Sequence, residues 1–171
     1  MSEKRAFQVC IEMLEQRRYK IVEMDEVCLR AVAVKPCGEK MIVLFNSTPK
    51  FDTKSLKDII SSVNVLHIVH VLIIYTEMIT PPTKNILSQL TDIRFELFCI
   101  TDLQYNITKH CLQPKFEELS ISESEQFIKK YGSKFGVLRL DRPIARFYDY
   151  KKNSIIRIIR PSGYVTYRIV K

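Results

Sequence analysis

The residues that could do chemistry in this chain are three histidines, five cysteines and a few separated carboxylates, and their spacing argues against an active centre. His67-x-x-His70 lies in an apolar, strand-like stretch, where positions three apart point to opposite faces, so the two are not expected to share a metal. His110 and Cys111 are adjacent, and neighbours on an extended chain also diverge. Cysteines 10, 28, 37, 99 and 111 contain no C-x-x-C pair and give no zinc spacing with the histidines; they read as reduced thiols. Asp52-x-Lys54 together with Glu96 echoes the carboxylates and lysine of a metal-dependent nuclease. Asp52 is better placed to cap a helix, however, and no Glu-x-Lys follows on the stretch 94–100. No nucleophile–base–orienter set and no glycine-rich phosphate loop is present. The expectation is a protein with no catalytic residue, metal, cofactor or small-molecule substrate.

The elements around these residues alternate between helix and strand. Phe7, Cys10, Ile11 and Leu14 recur at helical spacing, predicting an amphipathic helix that ends near Arg17-Arg18. The stretch 19–34 is ambiguous and reads as a short strand or turn followed by a helical piece from Asp25. A strand over 41–45 precedes a helix bearing Leu56, Ile59, Ile60 and Val63, with Asp52 or Thr53 as its cap. The run 65–75 is apolar enough for a central strand covered on both faces, and too short to span a bilayer. Thr80-Pro81-Pro82 starts a helix, with Thr80 as cap, proline in the first turn, and Ile86, Leu87 and Leu90 on the buried side. The stretch 94–100 is the next strand, which makes this half an α/β layer with a mixed sheet. The opening Met1-Ser2-Glu3-Lys4-Arg5 leads into an amphipathic helix, so no export signal is expected.

Charge divides the chain more sharply than composition does. Residues 1–105 carry 13 Lys+Arg and 13 Asp+Glu, whereas residues 106–171 carry 14 against 6, so the whole net charge of +8 falls in the second part. This asymmetry predicts a domain boundary at 105/106 and an anionic partner for the basic domain. Ser122-Glu123-Ser124-Glu125 reads as a capping box, followed by Phe127, Ile128 and Tyr131 on one face and Gly132 at the C′ position. Pro143 starts a short helix. Ile155 to Arg160 is a β-branched strand interrupted by arginines, and Tyr164 to Val170 alternates as a second strand. Pro161-Ser162-Gly163 between them fits a type I turn closed by a left-handed glycine.

The same C-terminal residues resemble a known family. Pro143-Ile144-Ala145-Arg146-Phe147, Ile155 to Arg160, and Tyr164-Val165-Thr166-Tyr167-Arg168 are similar, in order and spacing, to the end of the shared assembly subunit of RNA polymerases. The family comprises the H polypeptide of archaeal polymerases and its counterpart in the three eukaryotic nuclear enzymes. Ile107-Thr108-Lys109-His110-Cys111-Leu112-Gln113-Pro114-Lys115 resembles the family's N-I-T-x-H-x-L-V-P-K. Two departures are visible: the aspartate preceding the family's proline falls on Arg142, and Asn153-Ser154 replaces a glycine before the strand. More weakly, Ile74-Tyr75 through Ile79-Thr80-Pro81-Pro82-Thr83 resembles a helix-starting turn of the family's jaw domain, with Lys84 standing for a displaced lysine. Archaeal members lack that domain, so its presence implies a eukaryotic nucleus, or a viral factory or virion.

The resemblance implies an α/β jaw domain over 1–105 and a small α+β assembly domain over 106–171. It implies a non-catalytic DNA-dependent RNA polymerase subunit acting in transcription. Its partners would be the largest subunit, neighbouring small subunits and, weakly and without sequence preference, downstream DNA; no membrane is expected. Thr80, Pro81, Pro82, Thr83 and Lys84 would face DNA, with the amides of Thr83 and Lys84 suited to a phosphate. His110, Pro114, Pro143, Arg146, Arg157, Arg160, Tyr164, Thr166, Tyr167 and Arg168 would form the subunit interface. The alternatives are a free-standing basic nucleic-acid-binding protein and a metal-dependent nuclease.

Overall fold

A computed structural model describes residues 2–132 and 134–171, in two compact units, Met1–Tyr105 and Asn106–Lys171. In the first unit, Ser2 caps α1 (Glu3–Gln16) by accepting the Arg5 amide, and Ala6, Phe7, Cys10, Ile11, Met13 and Leu14 are buried along it. Arg18, at φ 65°, turns the chain out of the helix into β1 (Lys20–Asp25). β2 (Arg30–Val34) then pairs antiparallel with β1, so the helical piece expected from Asp25 is a hairpin turn instead. The reason is local: the Asp25 carboxylate accepts the amides of Val27 (2.9 Å) and Cys28 (3.0 Å), and Leu29 at φ 49° reverses the chain. An aspartate that could start a helix here closes a turn.

β3 (Lys40–Asn46) leads through β4 (Lys50–Phe51) to α2 (Thr53–Val65), whose Asp52 cap accepts the Ser55 amide at 2.9 Å. The expected strand over 65–75 is shorter than its apolar run. α2 continues to Val65, His67 turns at φ 51°, and β5 occupies His70–Tyr75. Its first five residues are all buried, as befits a strand lying between two others. β6 (Met78–Ile79) pairs with β4 and starts α3 (Pro81–Gln89), after which β7 (Arg94–Cys99) completes the sheet. The strand order is β1-β2-β3-β5-β7, antiparallel through β3 and parallel from β3 to β7. On one face Ile42, Val71 and Ile73 pack with Leu56 and Val63 of α2, and Ile86 and Leu87 of α3 pack against that core half-buried. The alternate residues Met41, Val43, Leu72 and Ile74 are buried on the opposite face.

In the second unit the predicted hairpin is the centre of a sheet. β8 (Lys115–Glu118), α4 (Ile121–Tyr131), β9 (Gly136–Leu138) and α5 (Pro143–Tyr148) precede β10 (Ile155–Ile159) and β11 (Val165–Val170). The order is β8-β10-β11-β9, so two short strands the sequence did not announce shield both edges of the hairpin. The turn forms as its residues dictate: the Gly163 amide donates to the Arg160 carbonyl at 2.8 Å and Gly163 takes φ 80°. Asn153 adopts φ 72°, a conformation that asparagine tolerates better than most side chains. Leu138, Ile144, Ala145, Tyr150, Ile156, Ile158 and Val170 form the core on the α5 side.

The capping box lies two residues earlier than expected. Ser120 is the cap: its hydroxyl accepts the Glu123 amide (3.3 Å) and its own amide donates to the Glu123 carboxylate (2.8 Å). Both registers satisfy the same pattern. The earlier one is set by the sheet, because the Leu119 amide donates to the Ile155 carbonyl and Ser120 is the first residue free to turn. Among the described residues no helix is long and apolar enough to cross a membrane.

Candidate interaction surfaces

The turn at the start of α3 is a lip held from behind. The Thr80 amide donates to the Phe51 carbonyl at 3.1 Å, and the Thr80 hydroxyl meets the Thr83 hydroxyl at 2.8 Å instead of capping the helix backbone. Thr83 is fully buried, while Pro81, Pro82 and Lys84 are exposed. The Lys84 amide already donates to the Thr80 carbonyl at 3.1 Å. Two corrections follow: the Thr83 side chain is part of the interior, and the Lys84 amide is not free for a phosphate. What the lip offers outward is the Lys84 ammonium.

The second unit distributes its expected interface residues over several surfaces. Strand alternation puts Arg157 and Tyr167 on one face of the sheet and Thr166 and Arg168 on the other. Pro143 and Arg146 belong to α5, on the core side; Pro143 is exposed and Arg146 half-buried. Arg160 and Tyr164 flank the hairpin tip, and His110 and Pro114 precede β8. Nor are the arginines equivalent. Arg157 is tied to Glu117 of the neighbouring strand, through Nε at 2.8 Å and through Nη2, so its charge is already answered within the unit. Arg168 is exposed and donates from Nη1 to the Val137 carbonyl at 3.1 Å.

A buried polar cluster in the first unit was not foreseen. Arg17, at the end of α1, makes two hydrogen bonds to Glu96 of β7, at 3.2 and 2.9 Å. His70 of β5 is 1% exposed, with Nε2 at 2.7 Å from Glu96 and Nδ1 at 2.9 Å from Glu39. Lys35 (2.9 Å) and the Tyr19 hydroxyl (3.2 Å) complete the bonding of Glu39. Burial alone would raise the Glu96 carboxyl, but the His70 and Arg17 contacts outweigh it and hold it at about 2. Burial likewise opposes, and Lys35, His70 and Tyr19 overcome, a shift that leaves Glu39 at about 2. Both carboxylates are therefore ionised acceptors, one at each ring nitrogen of His70. Burial pushes the nearby Cys10 thiol up to about 12, with Arg17 opposing, so it is no nucleophile.

The nuclease constellation is not assembled. Asp52 caps α2, which covers the face carrying Ile42, Val71 and Ile73. Glu96 aligns with Leu72 on the other face, inside the cluster just described. His67 sits in the turn after α2 and His70 in that cluster, and among the described residues no group of three or more His, Cys, Asp or Glu could hold a metal ion.

Comparison with known proteins adds an independent observation. The family model described as RNA polymerase Rpb5, C-terminal domain, matches residues 105–170. The chain is similar to the putative DNA-directed RNA polymerase subunit 454R of Invertebrate iridescent virus 6, 34% identical over 98% of each chain. It is also similar to the DNA-directed RNA polymerases I, II, and III subunit rpabc1 of Dictyostelium discoideum, 27% identical over 91% of this chain and 84% of that protein. With the DNA-directed RNA polymerases IV and V subunit 5B of Arabidopsis thaliana it shares 26% identity over 92% of this chain and 77% of that protein.

Proposed function

The chain belongs to the Rpb5 family of shared, eukaryotic-type RNA polymerase subunits, and on that footing we propose that it is a non-catalytic structural subunit of a DNA-dependent RNA polymerase. The observation that carries this reading is the end-to-end alignment with a viral polymerase subunit, which spans both units and not the C-terminal domain alone. The second unit is the assembly module and docks on the largest subunit. Its core is small for a free-standing domain, and packing against a large partner would stabilise it. The first unit forms part of the jaw, with the α3 lip toward downstream DNA. The site of action is the nucleus, or a viral factory or virion.

The direct test is native purification of the tagged chain from the cell that makes it. We expect a stoichiometric place among polymerase polypeptides, and no Mg²⁺- or Mn²⁺-dependent cleavage of DNA by the chain alone. Recovery as a free monomer would reject the subunit reading, and cleavage abolished by Glu96→Ala would reject the non-catalytic one.

The lip allows a separate prediction. Lys84→Glu in the assembled polymerase is expected to make elongation complexes dissociate at lower salt, because a lost phosphate contact reduces counterion release. Promoter choice is expected to stay the same, since such contacts position DNA without reading it. An unchanged salt profile would remove Lys84 from the DNA path.

A further inference from the structure

α4 packs on the sheet face bearing Arg157 and Tyr167, and none of its described residues is fully buried. The helix is pinned by Phe127, whose ring lies 4.2 Å from that of Tyr167 and 5.6 Å, edge-on, from that of Phe135. Beside this contact a cleft of about 230 Å³ opens between helix and sheet, its wall including Gln126, Phe127, Lys130, Arg157, Tyr167 and Glu123.

The wall is unequal in donors and acceptors. Lys130 brings an ammonium, which also lies 5.1 Å over the Tyr131 ring. Arg157 gives Nε and Nη2 to Glu117 and is also hydrogen-bonded to the Tyr167 side chain, so it brings positive charge to the wall from a fixed position. Gln126 adds an amide, and the Tyr167 hydroxyl is taken by Arg157. The one acid, Glu123, is engaged in the cap of α4: its Oε2 accepts the Ser120 amide at 2.8 Å and the Ser120 hydroxyl at 2.7 Å. Two cations therefore face one committed carboxylate around a space with an aromatic floor.

We propose that this cleft receives a carboxylate side chain, an aspartate or glutamate, from the polypeptide on which the second unit docks. The proposal rests on the assembly role above and gives that contact a place and a chemistry. Size argues for a side chain: small-molecule sites occupy roughly 300–1,000 Å³, more than this cleft holds. Its wall argues for a carboxylate over a nucleic-acid phosphate. The Phe127 ring offers an apolar surface to the methylenes of an acidic side chain, which a phosphate group lacks. Arg157, paired with Glu117 and bonded to Tyr167, fixes the wall, and Lys130 supplies the charge that meets the incoming carboxylate.

The test uses the full-length tagged chain in cells that assemble the polymerase. Lys130→Glu is expected to lower its recovery in purified polymerase about tenfold, and Lys130→Arg to preserve it. Gln126→Glu, which puts a second negative charge on the wall, is expected to give the same loss. Lys152→Glu, an exposed reversal outside the cleft, is expected to assemble normally, and all four variants to unfold thermally like the wild type. A photo-crosslinking p-benzoylphenylalanine at Gln126 should capture a polymerase polypeptide through a peptide containing Asp or Glu. Normal incorporation of both Lys130→Glu and Gln126→Glu would overturn the proposal, as would a crosslink to nucleic acid. Failure of the wild-type chain to incorporate would instead overturn the subunit reading, and this site with it.

Discussion

Arg17→Met is expected to cost the first unit about 3–5 kcal/mol, far more than reversing an exposed charge would. The reason is what it leaves behind. The Glu96 side chain is 11% exposed, and without the guanidinium its carboxylate is left with the His70 contact in a site that water scarcely reaches. At a urea dependence of about 1–3 kcal/mol per molar, the midpoint should fall by about 1 M or more. The double variant Arg17→Met/Glu96→Leu removes charge from both sides and is expected to recover part of the loss, because an ion pair replaced whole costs less than one broken. A midpoint within a few tenths molar of wild type for Arg17→Met would show that the cluster carries little of the unit's stability.

The cluster escaped the sequence because nothing local joins it. Arg17 closes a helix, Glu39 precedes a strand, and His70 and Glu96 lie on two other strands; only the parallel register of β5 and β7 brings His70 beside Glu96. One signal was there to be read. Glu96 stands among Phe95, Leu97 and Phe98 in a strand, and a carboxylate so placed needs a partner if it is covered. His70 drew notice only beside His67, in a metal pair that strand alternation argued against; α2 in fact runs on to Val65 and leaves His67 in the turn before the strand.

Elements with their own periodicity or turn chemistry were legible: α1, α2, the Pro-started helices, and the hairpin whose proline and glycine fit one turn type. Where two local readings competed, the fold chose between them. Asp25 closed a turn instead of starting a helix, and Ser120 displaced Ser122 because β8 releases the chain at Leu119. β8 and β9 are three or four residues long and have no alternation to announce them; pairing with the hairpin makes them strands. The basic charge was visible, but its use was not. Arg157 looked like a free cation until Glu117 appeared opposite it, and Lys130, which no motif marks, lines the cleft beside it.

Acid should unfold the first unit through the same residues, and the direction is fixed by the carboxyls. Glu96 and Glu39 sit at about 2 in the folded chain against an ordinary value of 4.5, so the unfolded chain binds protons first as pH falls. The stability they contribute is fully present above about pH 4.5 and is lost as pH falls from there to about 2. For Glu96 the shift corresponds to about 3 kcal/mol in all, of which about 2 should be gone by pH 3. Glu39 adds less, because its side chain is one-third exposed and partly screened. The exposed carboxylates Asp25 and Asp52, held low by backbone amides, push in the same direction, so the wild-type slope alone does not isolate the cluster. Glu96→Gln does. Urea midpoints at pH 7 and pH 3 should differ less in that variant than in wild type, even though it is less stable at neutral pH. Equal differences in the two proteins would mean that Glu96 is not what acid attacks.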